Sequence, residues 1–93
     1  MLAKKVVSLS IIVPTLNEEE HIVAFLQSLR DQSMNEFETF VVDGGSRDKT
    51  PDFIDQWDVK GVILPGAGEF ESRNLGAKMA EGSLLLFTCA DII

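Results

Sequence analysis

Two acidic residues stand directly behind apolar runs in this 93-residue chain: Asp43 closes the run that begins at Phe37, and Asp91 follows Leu85-Leu86-Phe87-Thr88-Cys89-Ala90. A polar segment, Pro14-Thr15-Leu16-Asn17-Glu18, likewise follows Ile11-Ile12-Val13. If the three runs are neighbouring parallel strands, their carboxyl ends share one rim, and open parallel sheets bind ligands outside that rim. Two carboxylates and the amino terminus of a helix would then meet in one crevice. That is the chemistry of a polar-ligand site.

Other catalytic patterns fail on their residues. Gly66-Ala67-Gly68-Glu69-Phe70-Glu71 lacks the third glycine of a dinucleotide fingerprint and follows the third strand rather than the first. There is no G-x-x-x-x-G-K-[ST] loop and no G-x-S-x-G elbow. Cys89 has no histidine near it in sequence, and His21 is the chain's sole histidine, which disfavours a Cys-His nucleophile pair. The rim residues also have plainer readings. Asn17, three residues before Glu20, has the spacing of a capping box. Gly44-Gly45-Ser46-Arg47-Asp48 has the composition of a turn, in which Asp48 reads as structural and Asp43 as functional. Glu69, Glu71 and Glu81 read as solvated helix surface, His21 as an exposed neighbour of the cap, and Trp57 and the phenylalanines as core or interface.

The elements that must position the rim follow from periodicity. Val6 to Val13 is nearly continuous in apolarity and rich in β-branched residues, the pattern of a strand covered on both faces. Ile22, Phe25, Leu26 and Leu29 fall on one helical stripe, predicting a helix from the Asn17 cap to about Gln32. Phe37 to Asp43 is a second strand. Thr50-Pro51 offers an N-cap with proline at the first helical position, and Phe53, Ile54 and Trp57 supply that short helix's buried side. Val62-Ile63-Leu64 reads as a third strand, Phe70 to Ala80 as a third helix stopped by Gly82, and Ser83 to Thr88 as a fourth, buried-type strand. The order βαβαβαβ predicts a single α/β domain over residues 1–93, a three-layer sandwich with a mainly parallel sheet. The apolar end at Asp91-Ile92-Ile93, with no closing helix, suggests part of a longer fold.

Composition narrows the partners. Eight Lys+Arg against 15 Asp+Glu give a net charge of −7, without the basic clusters that nucleic-acid binding needs. A single cysteine makes no internal disulfide. Lys4-Lys5 and the following apolar run superficially suggest a signal peptide, but Ser8 and Ser10 interrupt it and Pro14 closes it. No stretch approaches the roughly 20 apolar residues of a membrane-spanning helix. The expectation is a cytoplasmic, soluble chain, with membrane association of a complete parent enzyme left open.

Four segments then resemble, in order, the successive motifs of the family 2 glycosyltransferases of GT-A fold: Ile11 to Glu18, Val41-Val42-Asp43-Gly44-Gly45-Ser46-Arg47-Asp48-Lys49-Thr50, Ser72-Arg73-Asn74-Leu75-Gly76-Ala77, and Leu85 to Asp91. The resemblance covers nearly the whole chain but only the nucleotide-binding half of the family's domain, a Rossmann-like unit. It implies a nucleotide-diphosphate sugar as partner. Pro14, Thr15, Leu16 and Glu18 would line the base and ribose, Asp43 would accept a hydrogen bond from the base, and Arg73 would approach the diphosphate or base, unless it instead pairs with Glu69. Asp91 matches the last acid of the family's D-x-D motif, where a divalent cation, Mg²⁺ or Mn²⁺, bridges carboxylate and diphosphate. The sequence departs from that pattern at Cys89 in place of the first acid, at Gly44 in place of a second acid after Asp43, and at Leu16 in place of a frequent tyrosine. The family's acceptor pocket and catalytic base come after the D-x-D region, so no catalytic residue is assigned within these 93 residues. The rival expectation is a non-catalytic module that associates with itself or a partner chain through its sheet edge.

Overall fold

A computed structural model describes residues 8–32 and 36–90. It has seven elements in strict alternation: β1 (Leu9–Thr15), α1 (Ile22–Arg30), β2 (Phe37–Asp43), α2 (Thr50–Asp55), β3 (Lys60–Ile63), α3 (Glu69–Met79) and β4 (Leu84–Phe87). All strand pairs are parallel, in the order β3-β2-β1-β4. The predicted α/β sandwich is therefore present, with β2 as predicted, α1 starting at Ile22 instead of directly after Asn17, and the other boundaries within three residues. The first two residues predicted for β1, Val6 and Val7, lie outside the described residues, as do Asp91, Ile92 and Ile93.

Alternation along β1 and β2 explains the layers. Ile11, Val13 and Val41 face one side, where Ile22, Phe25 and Leu26 of α1 and Ile54 of α2 complete the core. Ile12, Phe40 and Val42 are as deeply buried on the other side, under α3. That helix approaches closely because position 76 has no side chain: a Cβ on Gly76 would collide with the Ile12 side chain.

Three expectations are corrected here. Trp57 lies beyond the end of α2, half-buried against the core, with the Arg30 guanidinium 4.5 Å above its ring. Phe70 is neither core nor packed, being 74% exposed. β4 is not a buried strand: Leu84, Leu85, Leu86 and Phe87 are 42–66% exposed, because β4 pairs only with β1 and neither helical layer extends far enough to cover it.

At the amino ends of the strands a buried carboxylate ties the fold together. Glu38 accepts from the Ser10 hydroxyl (2.6 Å), the Glu81 amide (2.6 Å) and Lys60 Nζ (2.8 Å), while the Gly82 amide donates to Ser10 Oγ (2.8 Å). Those bonds join β1, β2, β3 and the α3–β4 turn. Burial pushes the Glu38 carboxyl up, but Lys60, Ser10 and the Glu81 N–H together outweigh burial and hold it at about 2, against 4.5 for the free group. A depressed folded-state value stabilises in full above the unfolded pKa, and the contribution is lost as pH falls through about 2. Urea unfolding should accordingly weaken between pH 4.5 and about 2 in the parent chain. Glu38→Gln should flatten that dependence and cost about 1–3 kcal/mol at neutral pH. Parallel pH curves for the two chains would rule the network out as the source.

Candidate ligand crevice

The chain order creates the crevice. From β1 the sheet grows through β2 to β3 by way of α1 and α2 on one face, then returns past β1 to β4 by way of α3 on the other. Connections of one hand that run in opposite directions land on opposite faces, so the switch point between β1 and β4 is the candidate gap at the carboxyl rim. Pro14-Thr15-Leu16 stands on one side of it and Thr88-Cys89-Ala90 on the other, joined below by the Thr88 amide donating to the Ile12 carbonyl (3.1 Å). Leu16 is 54% exposed there.

Arg73 reaches this gap from α3. Its guanidinium carbon lies 6.0 Å from the Phe87 ring at the end of β4, and its Nε is buried with no hydrogen-bond partner among the described residues. Contact with Glu69 is loose, Nη2 to Oε2 being 3.5 Å, and an exposed i,i+4 pair of that length contributes little. Buried donors are normally satisfied, so this nitrogen is a donor whose acceptor the described residues do not supply.

The β1–α1 and β2–α2 loops form the crevice floor by exchanging hydrogen bonds. Amides of Asn17, Glu18 and Glu19 donate to Ser46 Oγ (2.7 Å), Thr50 Oγ1 (2.8 Å) and Asp48 Oδ2 (3.1 Å). In return the Arg47 amide donates to Asn17 Oδ1 (2.9 Å). Asn17 adopts φ 54°, a left-handed conformation that asparagine tolerates better than most residues. The capping box expected of Asn17 and Glu20 does not form: α1 starts at Ile22 with His21 in the cap position and no side-chain cap bond. Thr50 likewise does not cap α2. Its hydroxyl donates to Asp48 Oδ1 and receives the Glu18 N–H, so it serves the entry to α1 from across the sheet. Asp48 is structural: burial raises its carboxyl, yet bonds from the Thr50 hydroxyl and amide and from the Glu19 amide hold it below its usual range.

Asp43 is the most enclosed of the expected site residues, 1% exposed. Its Oδ1 accepts from Thr15 Oγ1 (2.8 Å) and Ser46 Oγ (2.6 Å), and its Oδ2 from the Gly45 (3.1 Å) and Ser46 (2.7 Å) amides. A carboxylate offers about four acceptor sites, all of which these donors occupy. Thr15 and Asp43 are thus brought together directly, and Glu18 is tied to them through the paired loops. The Glu18 carboxylate faces His21 Nδ1 at 3.5 Å, an ion pair only when the imidazole is protonated. Pro14 is half-buried at the rim. Asp91 lies outside the described residues, so its meeting with Glu18 and Asp43 is not described. Among the described residues no three His, Cys, Asp or Glu side chains converge on a metal position, and Cys89, a half-buried free thiol, suits a hard cation poorly. Asp91, the carboxylate expected to hold a divalent cation, is not among these residues. Sequence reasoning missed Ser46 and Thr50 as loop partners, since their hydroxyls bond to residues about thirty positions away.

Comparison with known proteins places this geometry. Residues 10–93 match the family model described as Glycosyl transferase family 2. The chain is 35% identical over 94 residues to a PGL/p-HBAD biosynthesis glycosyltransferase of Mycobacterium tuberculosis, covering 88% of this chain and 34% of that protein. A crystal structure of Staphylococcus aureus TarS 1-349 superposes with a TM-score of 0.84 at 36% identity, over 90% of this chain and 27% of that one. TarS 1-349 has also been solved with UDP and with UDP-GlcNAc. A mannosyltransferase from Pyrobaculum calidifontis, in complex with GDP-Man and Mn²⁺, matches at TM-score 0.78 and 28% identity, over 89% of this chain and 27% of that one. The fold is that of the GT-A glycosyltransferases, and the chain spans about a third or less of the relatives it matches. No helix among the described residues is long and apolar enough to cross a membrane.

The loop exchange makes a stability prediction. Thr50→Val removes one acceptor and one donor and should cost about 1–3 kcal/mol, with faster hydrogen exchange at the Glu18 amide. Glu20→Ala should stay within about 0.5 kcal/mol, because no capping box is lost. The reverse ranking would place the cap within α1 after all.

Proposed function

Because the chain belongs to glycosyl transferase family 2, we propose that it is the donor-binding portion of an inverting glycosyltransferase, holding a UDP- or GDP-type sugar for attack by an acceptor hydroxyl. The observation that carries this reading is the unpaired Nε of Arg73 at the gap between β1 and β4. A planar guanidinium pairs well with diphosphate oxygens, and an acidic chain needs such a cation to receive an anionic ligand. Pro14, Thr15, Leu16 and Glu18 line the base and ribose, with exposed Leu16 supplying an apolar face where a tyrosine is frequent.

Asp43 serves the base by exchange. A ring N–H replaces one of the two hydroxyl donors on its Oδ1, and Ser46, the more exposed of the two, moves away. Asp91 is the one carboxylate assigned to a divalent cation, which when bound would neutralise the diphosphate and the leaving nucleotide. No step is assigned to a catalytic base in this chain. The setting of the complete protein is taken as cytoplasmic.

Calorimetry with UDP, GDP and their sugars, with and without Mn²⁺, tests the reading. Asp43→Ala should weaken binding about tenfold or more with or without metal, whereas Asp91→Ala should do so only when metal is present. A folded chain that binds none of these ligands would refute the donor site.

A second reading has its own observation. β4 exposes four apolar side chains on both faces of a free sheet edge, a surface that favours pairing with another polypeptide, either a second copy or the remainder of a family domain. Sedimentation of the chain by itself should then detect a dimer that Leu86→Lys converts to monomer. A monomer at all concentrations leaves the remainder of a domain as the partner, and loss of nucleotide binding with retained dimerisation would favour the purely associative role.

A further inference from the structure

We propose that Gly44 is a positioning residue for Arg73: its missing side chain is the seat on which the β3–α3 loop closes, and that closure fixes where α3 begins. The proposal rests on the donor-site reading and adds to it a residue that is given no contact of its own with the ligand. A Cβ at position 44 would stand 2.7 Å from the Ala67 carbonyl oxygen and 3.6 Å from that of Thr15. Both obstacles are backbone atoms, so neither can swing aside as a flexible side chain would. The seat is held by short backbone bonds. Leu64 N–H donates to the Asp43 carbonyl (2.7 Å), Gly66 N–H to the Gly44 carbonyl (3.0 Å), and Gly44 N–H to the Thr15 carbonyl (2.9 Å).

From Ala67 the chain passes through Gly68, in extended conformation, directly into α3. The Ser72 amide donates back to the Gly68 carbonyl (3.1 Å), and Ser72 itself is buried. Farther along, Gly76 rests on Ile12. Arg73 therefore sits on a helix pinned before it by the Gly44 seat and after it by the Gly76 contact. With the β3–α3 loop seated as it is in this chain, a Cβ at 44 lifts the first pin while leaving the second, which tilts the turn that carries Arg73. Because anion recognition by a guanidinium depends on placement within about half an ångström, the lift registers as lost affinity.

A double-mutant cycle tests this on the full 93-residue chain, with UDP and GDP as probes. Gly44→Ala should weaken binding by about tenfold or more, and by less than about twofold when Arg73 is already alanine. Additive losses overturn the role of Gly44 while leaving the donor site intact. Absence of any nucleotide binding in the parent chain overturns the donor site and the Gly44 role together. Hydrogen exchange without ligand gives a separate readout: the Gly66 amide should lose protection in Gly44→Ala, and unchanged protection overturns the seat whatever the nucleotide does. Gly66→Ala, strained at φ 80° but free of any clash, loosens the same loop from the other side and should reproduce the non-additivity with Arg73→Ala if Gly44→Ala fails to fold.

Discussion

Backbone N–H groups that leave a strand for a helix have no partner in either element, and the way this chain satisfies them governs the crevice. The amides of Asn17, Glu18 and Glu19 are received by Ser46, Thr50 and Asp48 of the neighbouring loop. These are exposed and part-buried bonds, so the two loops separate only by giving up several pairings to water at once. Asp43 anchors the same assembly from below, gathering Thr15, Gly45 and Ser46 around one carboxylate. The floor of the crevice is thereby built jointly from two strand ends.

The walls depend on topology rather than on any one bond. β4 returns to the far side of β1, so the gap at the rim opens between the first and last strands, and α3 is the element that delivers a cation to it. Arg73 Nε has no partner among the described residues, in contrast to Lys60, whose ammonium is held by Glu38 at the opposite end of the sheet. One end of the sheet thus consumes its charges in the fold. The other leaves one guanidinium nitrogen without a partner among the described residues.

The two edges differ in a related way. β1 and β2, the central strands, are sandwiched by helices, and their apolar residues are buried nearly completely. β4 carries an equally apolar sequence whose four side chains stay 42–66% exposed. A surface of that kind fits a chain that spans about a third or less of its relatives, whose additional polypeptide is large enough to cover it.

The alternating pattern of elements, the parallel sheet and the family were legible in the sequence, because β-branched runs, one helical stripe and four ordered motifs are local signals that survive without coordinates. Thr15 and Asp43 could also be named, since both stand at strand ends. What the sequence could not determine was which partner each polar group would choose. Asn17 and Glu20 had the spacing of a cap and Thr50-Pro51 of another, yet the loops capped each other, because hydroxyls and carboxylates about thirty residues distant lay closer than local ones. Burial was decided the same way. Phe70 and the leucines of β4 are apolar by sequence and exposed in the fold, since burial belongs to the neighbours an element acquires and not to the residue itself.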